Sequence, residues 1–435
     1  MITPSFALTA TERVLPRMAL DFTTATLDPR VTFTRTGNTA TVINSSGLVA
    51  PINADLPRFD FNPTTLACNG LLIEEARTNI SLYSQDFRNT VDAGSVRPWV
   101  YSFVTLNYYP VGVLSPDGTA NVCKIVEDSG TSSHYISQLI TNANANFTYS
   151  VFAKDAGRRY LRMMIADVGL TSGSRVYATF DLTNGTSTIG NITATNTAAT
   201  SQAFDNGWYK CSVTATITAG ATVTTGLILS NTSGSSSALP SYLGDGVSGV
   251  YVYGADLQEG LFPTSYIPTV ASQVTRNADV ALMTGTNFSN WYNASEGAFA
   301  IWCSVPASTV SFAALSVTDG TNSERILINA LSGRTGTSFR VVDNNVDQAN
   351  ILKAVAWTAG QQLKIVGAYK LDSFATTFNG ASVLTDTSGT LPTVSQLGIG
   401  NSGLTVPVVG ANFYVQELLY WPQRIIDAEV QAFSK

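Results

Sequence analysis

Cys211-Ser212-Val213-Thr214-Ala215-Thr216-Ile217 alternates without a break, apolar at the odd positions and small and polar at the even ones. Successive side chains of a strand point to opposite faces, so this run predicts a half-buried antiparallel strand. The run from Leu363 to Leu371 repeats the pattern and leads through Phe374-Ala375-Thr376-Thr377-Phe378 into Asn379-Gly380. Both of those residues tolerate positive φ, which makes the pair a strong hairpin signal. A second such pair, Asn184-Gly185, follows the strand-like run from Val176 to Leu182. Short strands separated by turn residues recur to the C-terminus, which selects β-sandwiches over parallel α/β units. Helix is expected only at the end, where Asp427 would cap a turn carrying Glu429, with Ile426, Val430 and Phe433 on one face.

The chain has 435 residues, or about three domains at roughly 150 residues each. Charged residues make up only 12%, about half the usual quarter, and Thr, Ser, Asn and Gly fill the gap. The balance of 24 basic and 30 acidic residues gives −6, and only seven of the basic residues are Lys. No dense basic patch is present to condense on phosphates, which argues against nucleic acid as a partner. A single histidine, His134, excludes two-histidine metal sites. Cys68, Cys123, Cys211 and Cys303 are spaced by 55, 88 and 92 residues, unlike a zinc motif or a disulfide framework, and read as buried thiols. The start, Met1-Ile2-Thr3-Pro4-Ser5-Phe6, lacks a basic segment followed by an apolar one, and no apolar run reaches the roughly 18 residues of a membrane span. Synthesis and folding in a cytoplasm, without membrane insertion, are expected.

Several runs resemble a modular family of tailed-bacteriophage virion proteins, the tail or head fibres and spikes. In the first segment these are Leu20-Asp21-Phe22, Asp28 to Arg35, Gly47-Leu48-Val49, Pro57-Arg58-Phe59-Asp60-Phe61 and, most specific, Gly70 to Asn79. Tyr253 to Gly260, Pro263 to Thr269 and Arg276-Asn277-Ala278-Asp279 are similar to the family's closing strand and linker. Trp302, Ala368-Tyr369, Leu397-Gly398-Ile399-Gly400 and Tyr420-Trp421-Pro422-Gln423-Arg424 resemble a concanavalin-like or laminin-G-like sandwich. The resemblance implies a mainly β chain in three parts: an extended virion-attachment segment over 1–84, a jelly-roll-like, carbohydrate-binding-module-like sandwich over 85–283, and a concanavalin/laminin-G-like sandwich over 284–435. It further implies location on the virion, other virion proteins (capsid, portal or tail) as docking partners, bacterial surface glycans as ligands, and a homo-oligomer, most often a trimer. The sequence carries neither a heptad coiled coil nor a glycine-rich collagen-like shaft.

A saccharide site on a sandwich needs aromatic rings for the apolar faces of pyranoses, with amides, carboxylates or guanidinium groups for the hydroxyls. Six residues are the leading candidates, the rings Trp99, Tyr101, Tyr108 and Tyr109 with Asp155 and Arg158 as hydrogen-bonding neighbours; Arg159 is a further neighbour and Trp208 and Tyr209 are further rings, of which Trp208 reads as core. Arg58, Glu74, Glu75, Arg77 and Asn79 form the expected attachment motif. Glu74-Glu75 is the only Glu-Glu doublet. Neighbours on a strand face opposite ways, so the two cannot act together as a glycosidase pair, and an ion pair with Arg77 is expected instead. The oxygen-rich run Asp343, Asn344, Asn345 and Asp347 is a candidate Ca²⁺ loop without an EF-hand's spacing, and Asp256 with Glu259 is a second oxygen pair. No G-x-S-x-G elbow occurs, Ser133-His134 is an adjacency rather than a triad, and no enzymatic activity or cofactor is expected. The function expected is reversible glycan adhesion by a fibre or spike. The alternatives are a purely structural decoration protein and a depolymerase tailspike.

Overall fold

A computed structural model describes residues 15–37, 40–88, 98–234, 237–306, 310–404 and 412–435. Residues 1–14, which open the expected attachment segment, lie outside the described residues. The fold is mainly β and antiparallel, built as two sandwiches.

The C-terminal sandwich pairs an eight-stranded with a seven-stranded sheet. At the centre of the first lie Gln362–Lys370, Glu296–Ser304 and Asn412–Trp421. The second runs from Thr32–Thr34 through Val280–Thr284, Gln396–Ile399 and Phe312–Thr318 to Val346–Lys353. Ile301, Ile365 and Leu418 from one sheet pack on Val317, Ile328 and Phe339 from the other, all fully buried. Asn379 and Gly380 have φ of 46° and 71°, the double left-handed turn predicted for this hairpin, and it connects Phe374–Phe378 to its partner Leu384–Asp386.

The middle sandwich packs an eight-stranded sheet on a six-stranded one. Val151, Val213 and Val252 from the larger sheet meet Leu161, Phe180 and Leu227 from the smaller, again fully buried. Val104–Tyr108 forms an edge of the larger sheet and Trp99–Ser102 an edge of the smaller. The Asn184-Gly185 turn joins Arg175–Asp181 to its antiparallel partner Ser187–Ile192.

Three expectations are corrected by how the parts are joined. The first segment does not extend away from the sandwiches. Met18–Asp21 and Cys68–Glu74 lie end to end along one side of Asn412–Trp421, while Arg77–Asn79 pairs with Gly249–Glu259 and Val274–Arg276 in the other sandwich. These runs alternate or carry several buried apolar residues, and pairing covers edges that would otherwise be open. The chain has also entered the C-terminal sandwich before residue 284, because Val280–Thr284 pairs with Gln396–Ile399. The strand Tyr209–Thr216 is buried on both faces: Cys211 and Val213 point into the core, while Ser212 and Thr214 sit under the junction and pair their hydroxyls with those of Ser150 and Thr148 at 2.8 and 2.9 Å.

The final helix, Asp427–Ala432, buries Val430 and sets Phe433 4.4 Å from Trp421, ring to ring. Glu429 rather than Asp427 caps it, accepting from the Ile426 N–H at 3.1 Å, and Ile426 itself is exposed. All four cysteines are free, and Cys68 is half-buried rather than buried. Among the described residues no helix is long and apolar enough to cross a membrane.

Candidate saccharide cleft and the buried ionic hub

Tyr108 ends the edge strand Val104–Tyr108. In a continuing strand Tyr109 would face the other way. Instead its φ of 56° turns the chain left-handed, and the two rings lie with centroids 6.2 Å apart and planes tilted by 51°. The facing wall comes from the segment after Asn79, where Tyr83, with φ of 50°, is held by its N–H on the Val270 carbonyl at 2.7 Å. Between them opens a cleft of about 240 Å³, completed by Gln85, Asp86, Asn121, Thr269 and Val270.

Its polar groups are fixed in place. Gln85 donates to the Tyr253 hydroxyl at 2.6 Å, which donates to Asp117 at 2.8 Å, and Asn121 donates to Gln85 Oε1 at 3.3 Å. Arg88 pairs with Asp86 at 2.6 Å and stands 5.6 Å from the centre of the Tyr108 ring. Burial raises the Tyr108 phenol far above its ordinary range, so it stays protonated. Tyr109 is 61% exposed. A water-facing ring beside rigid amides and a carboxylate is suited to stacking on one face of a sugar while hydrogen-bonding its hydroxyls.

Of the six predicted saccharide residues, the structure brings only Tyr108 and Tyr109 together. Trp99 is corrected: it is 1% exposed, packs 5.0 Å from Phe87 and directs Nε1 at the Tyr83 carbonyl. Its position on Trp99–Ser102 points inward, so it supports the cleft wall from behind. Tyr101 does the same, donating to the Phe87 carbonyl at 2.6 Å. Asp155 and Arg158 do not line the cleft: Asp155 accepts from the Gly157 N–H at 2.7 Å, and Arg158 is held by Glu127, with Tyr242 beneath it. Arg159 pairs with Asp181. Trp208 is core, as read from sequence, and Tyr209 donates to the Thr183 carbonyl. Sequence reasoning missed Tyr83, Gln85 and Asn121, because their approach depends on left-handed residues other than glycine, which no pattern announces.

The expected attachment motif is internal. Arg58 pairs with Glu74 at 2.7 Å and with Asp279; Arg276 reaches the same Glu74 oxygen at 2.9 Å; Arg35 reaches Asp279 at 3.2 Å. The Glu74 N–H also donates to Asp279, at 2.9 Å. All five side chains are essentially without solvent contact. Burial alone would raise the Glu74 carboxyl, but Arg276 and Arg58 overcome it and hold the group at about 2. Glu75 points elsewhere and pairs with Arg77 at 2.6 Å, the ion pair expected for the doublet. The Asn79 amide donates to the Ala255 and Ile267 carbonyls, and its Oδ1 accepts from the Ser81 and Leu257 N–H groups. Arg35, Arg276 and Asp279 all belong to runs singled out in the sequence, and the structure shows that these runs converge on one ionic hub.

The remaining oxygen clusters do not converge. Asp343 accepts from Thr390, Asp347 pairs with Arg340 at 2.7 Å, and the Asn344 N–H donates to Glu324, with Asn344 and Asn345 in a left-handed turn. Asp256 is buried while Glu259 accepts from Asn142 at the surface. Among the described residues no three His, Cys, Asp or Glu side chains are placed to hold a metal ion. His134 is buried between the Phe103 and Tyr242 carbonyls, and Ser133 donates to Leu239 rather than to it.

No family model and no curated protein matches the sequence. Parts of the chain are similar to solved β-sandwich structures. The CBM40 module of a Ruminococcus gnavus IT-sialidase, bound to alpha2,3 sialyllactose, matches at 12% identity and a TM-score of 0.31 over 34% of this chain and 88% of that one. The Limulus polyphemus SAP-like pentraxin matches at 11% identity and 0.27 over 33% of this chain and 70% of that one. Streptococcus pneumoniae NanB sialidase matches at 12% and 0.31, and only 26% of its chain is covered. At these values the likeness assigns no residue and no ligand to this chain.

Proposed function

We propose that this protein is a glycan-adhesion protein whose middle sandwich holds saccharide in the cleft between Tyr83 and Tyr108-Tyr109. The observation that carries the reading is the paired tyrosines, turned by the left-handed backbone at Tyr109 onto one cleft with Gln85, Asn121 and Asp86 fixed around it. The role is adhesion without bond cleavage, in which several weak sites on one particle add by avidity. Display on a bacteriophage virion as a tail or head fibre, in several copies, belongs to the same reading and rests on the sequence runs alone. Antibody labelling of intact particles tests that address. Binding is tested on an array of bacterial surface glycans with the assembled protein: retention of glycans by the wild type and their loss in Tyr109→Ala support the reading, and an array without retained glycans overturns it.

A purely structural decoration role is the second reading, favoured by one observation. Arg58, Glu74, Glu75, Arg77 and Asn79 are consumed in contacts within the chain, so the motif's evident work is to hold the sandwiches together.

A further inference from the structure

A second cavity is larger than the tyrosine cleft. It measures about 480 Å³ and lies where the two sandwiches and the first segment meet, within the size range of ligand pockets and at their commonest location, a junction between modules. One wall is the outer face of the middle sandwich, with Thr200, Phe204 and Lys210; the other is the outer face of the C-terminal sandwich's larger sheet, with Asp60, Asn412 and Tyr414.

These walls offer more hydrogen-bonding capacity than the chain uses. Lys210 gives one of its three N–H groups to the Thr264 carbonyl at 2.7 Å. Asn412 donates to the Pro263 carbonyl at 3.0 Å, yet its Oδ1 has no partner among the described residues although the side chain is 8% exposed. A buried acceptor of this kind calls for a water or a ligand. Asp60, by contrast, is satisfied by the Ile43 N–H at 2.7 Å and the Tyr414 hydroxyl at 2.9 Å.

Charges of both signs surround the cavity: Glu74 and Asp279 face Arg58, Arg276 and Arg35, and Lys210 faces Asp60 and Asp256. Neither a bare anion nor a bare cation gains from such a site. A polyhydroxyl compound does, because its hydroxyls can both accept, from Lys210, and donate, to Asn412, while a ring face meets Phe204. We infer that the junction cavity is a second saccharide site, for one or two neutral sugar rings, independent of the tyrosine cleft.

Saturation-transfer NMR with lactose, maltose and N,N′-diacetylchitobiose as probes, recorded on the full chain carrying Tyr109→Ala, tests this. At least one probe is expected to receive saturation. Adding Lys210→Met, or filling the cavity with Thr200→Trp, is expected to weaken that probe at least tenfold. Thr200 lies on an exposed edge strand, so its urea midpoint is expected to stay at the parent value and to separate loss of the site from loss of fold. Probes that bind the wild type but not Tyr109→Ala overturn the second site and leave the cleft standing. Probes that bind Tyr109→Ala unchanged and are lost with Lys210→Met and Thr200→Trp support the cavity and count against the cleft. No transfer to any probe, or transfer indifferent to both cavity variants, overturns the inference.

Discussion

Replacing Asp279 by Ala removes the acceptor for four donors, namely Nε and Nη2 of Arg58, Nη1 of Arg35 and the Glu74 N–H. Both arginine side chains have no solvent contact, so water cannot take over the lost bonds without opening the junction. Leaving a buried charge without its partner costs about 3–5 kcal/mol, and here two guanidinium groups share the loss, with Glu74 remaining to neutralise Arg58 in part. We expect about 4 kcal/mol. At a urea slope of about 2 kcal/mol/M this lowers the unfolding midpoint by about 2 M, read by tryptophan fluorescence. Asp279→Asn keeps the shape while removing the charge and turns an N–H toward the arginines, so it is expected to fall nearly as far. Asp28→Ala is the internal control: its pair with Arg30 at 2.8 Å is partly exposed, and such pairs contribute less than about 1 kcal/mol. A midpoint for Asp279→Ala within error of that of Asp28→Ala would refute the description of the hub as dry and tightly coupled.

Trp99→Ala is expected to cost about 3–5 kcal/mol, since the ring is buried against Phe87, whereas the milder Trp99→Phe should leave glycan affinity within twofold; a Trp99→Phe variant that folds normally yet loses all binding would place the ring in the site. Burial raises the Asp60 carboxyl from its ordinary 3.8 to about 6, against hydrogen bonds from Ile43 and Tyr414. A folded value above the unfolded one means stability is full below pH 4 and lost as pH rises through 6, by about 3 kcal/mol. Asp256, raised to about 7 by burial, acts in the same direction, while Glu74, held at about 2, removes stability only as pH falls below 4.5. Urea midpoints between pH 5 and 8 should therefore fall with rising pH, and less steeply in Asp60→Asn; parallel slopes in the two proteins would contradict the assignment. Gly70 has φ of 110°, and a Cβ there would lie 2.2 Å from the Val415 carbonyl oxygen, so Gly70→Ala is expected to break the pairing of Cys68–Glu74 with Asn412–Trp421 and to appear as accelerated amide exchange at Leu71, which lies opposite Val415.

What the sequence made legible follows from periodicity. Alternation in Cys211 to Ile217, and the Asn-Gly pairs at 184 and 379, encode strand and turn within a few residues, and those elements stand in the structure where they were read. Ser212 and Thr214 escaped because burial of their polar face is imposed by another part of the chain, not by the strand itself. The same holds for the first segment, whose strands are short and find their partners hundreds of residues away. In the site, the adjacent tyrosines were visible but their shared cleft was not, since it depends on positive φ at Tyr83 and Tyr109. Trp99 was misplaced because an aromatic on a short edge strand can face either way, and only the smaller sheet's register turns it inward. The charged residues of the runs around Arg58, Glu74 and Arg276 were noticed as motifs, while their convergence required the fold.

Isothermal titration of the assembled wild type and of Tyr109→Ala, against the glycan retained most strongly on the array, tests the saccharide cleft most directly. Removing the exposed ring should weaken binding about tenfold, or about 1.4 kcal/mol, with the urea midpoint unchanged because Tyr109 is 61% exposed. Equal affinity in the two proteins would contradict the assignment of the tyrosine cleft as the adhesion site.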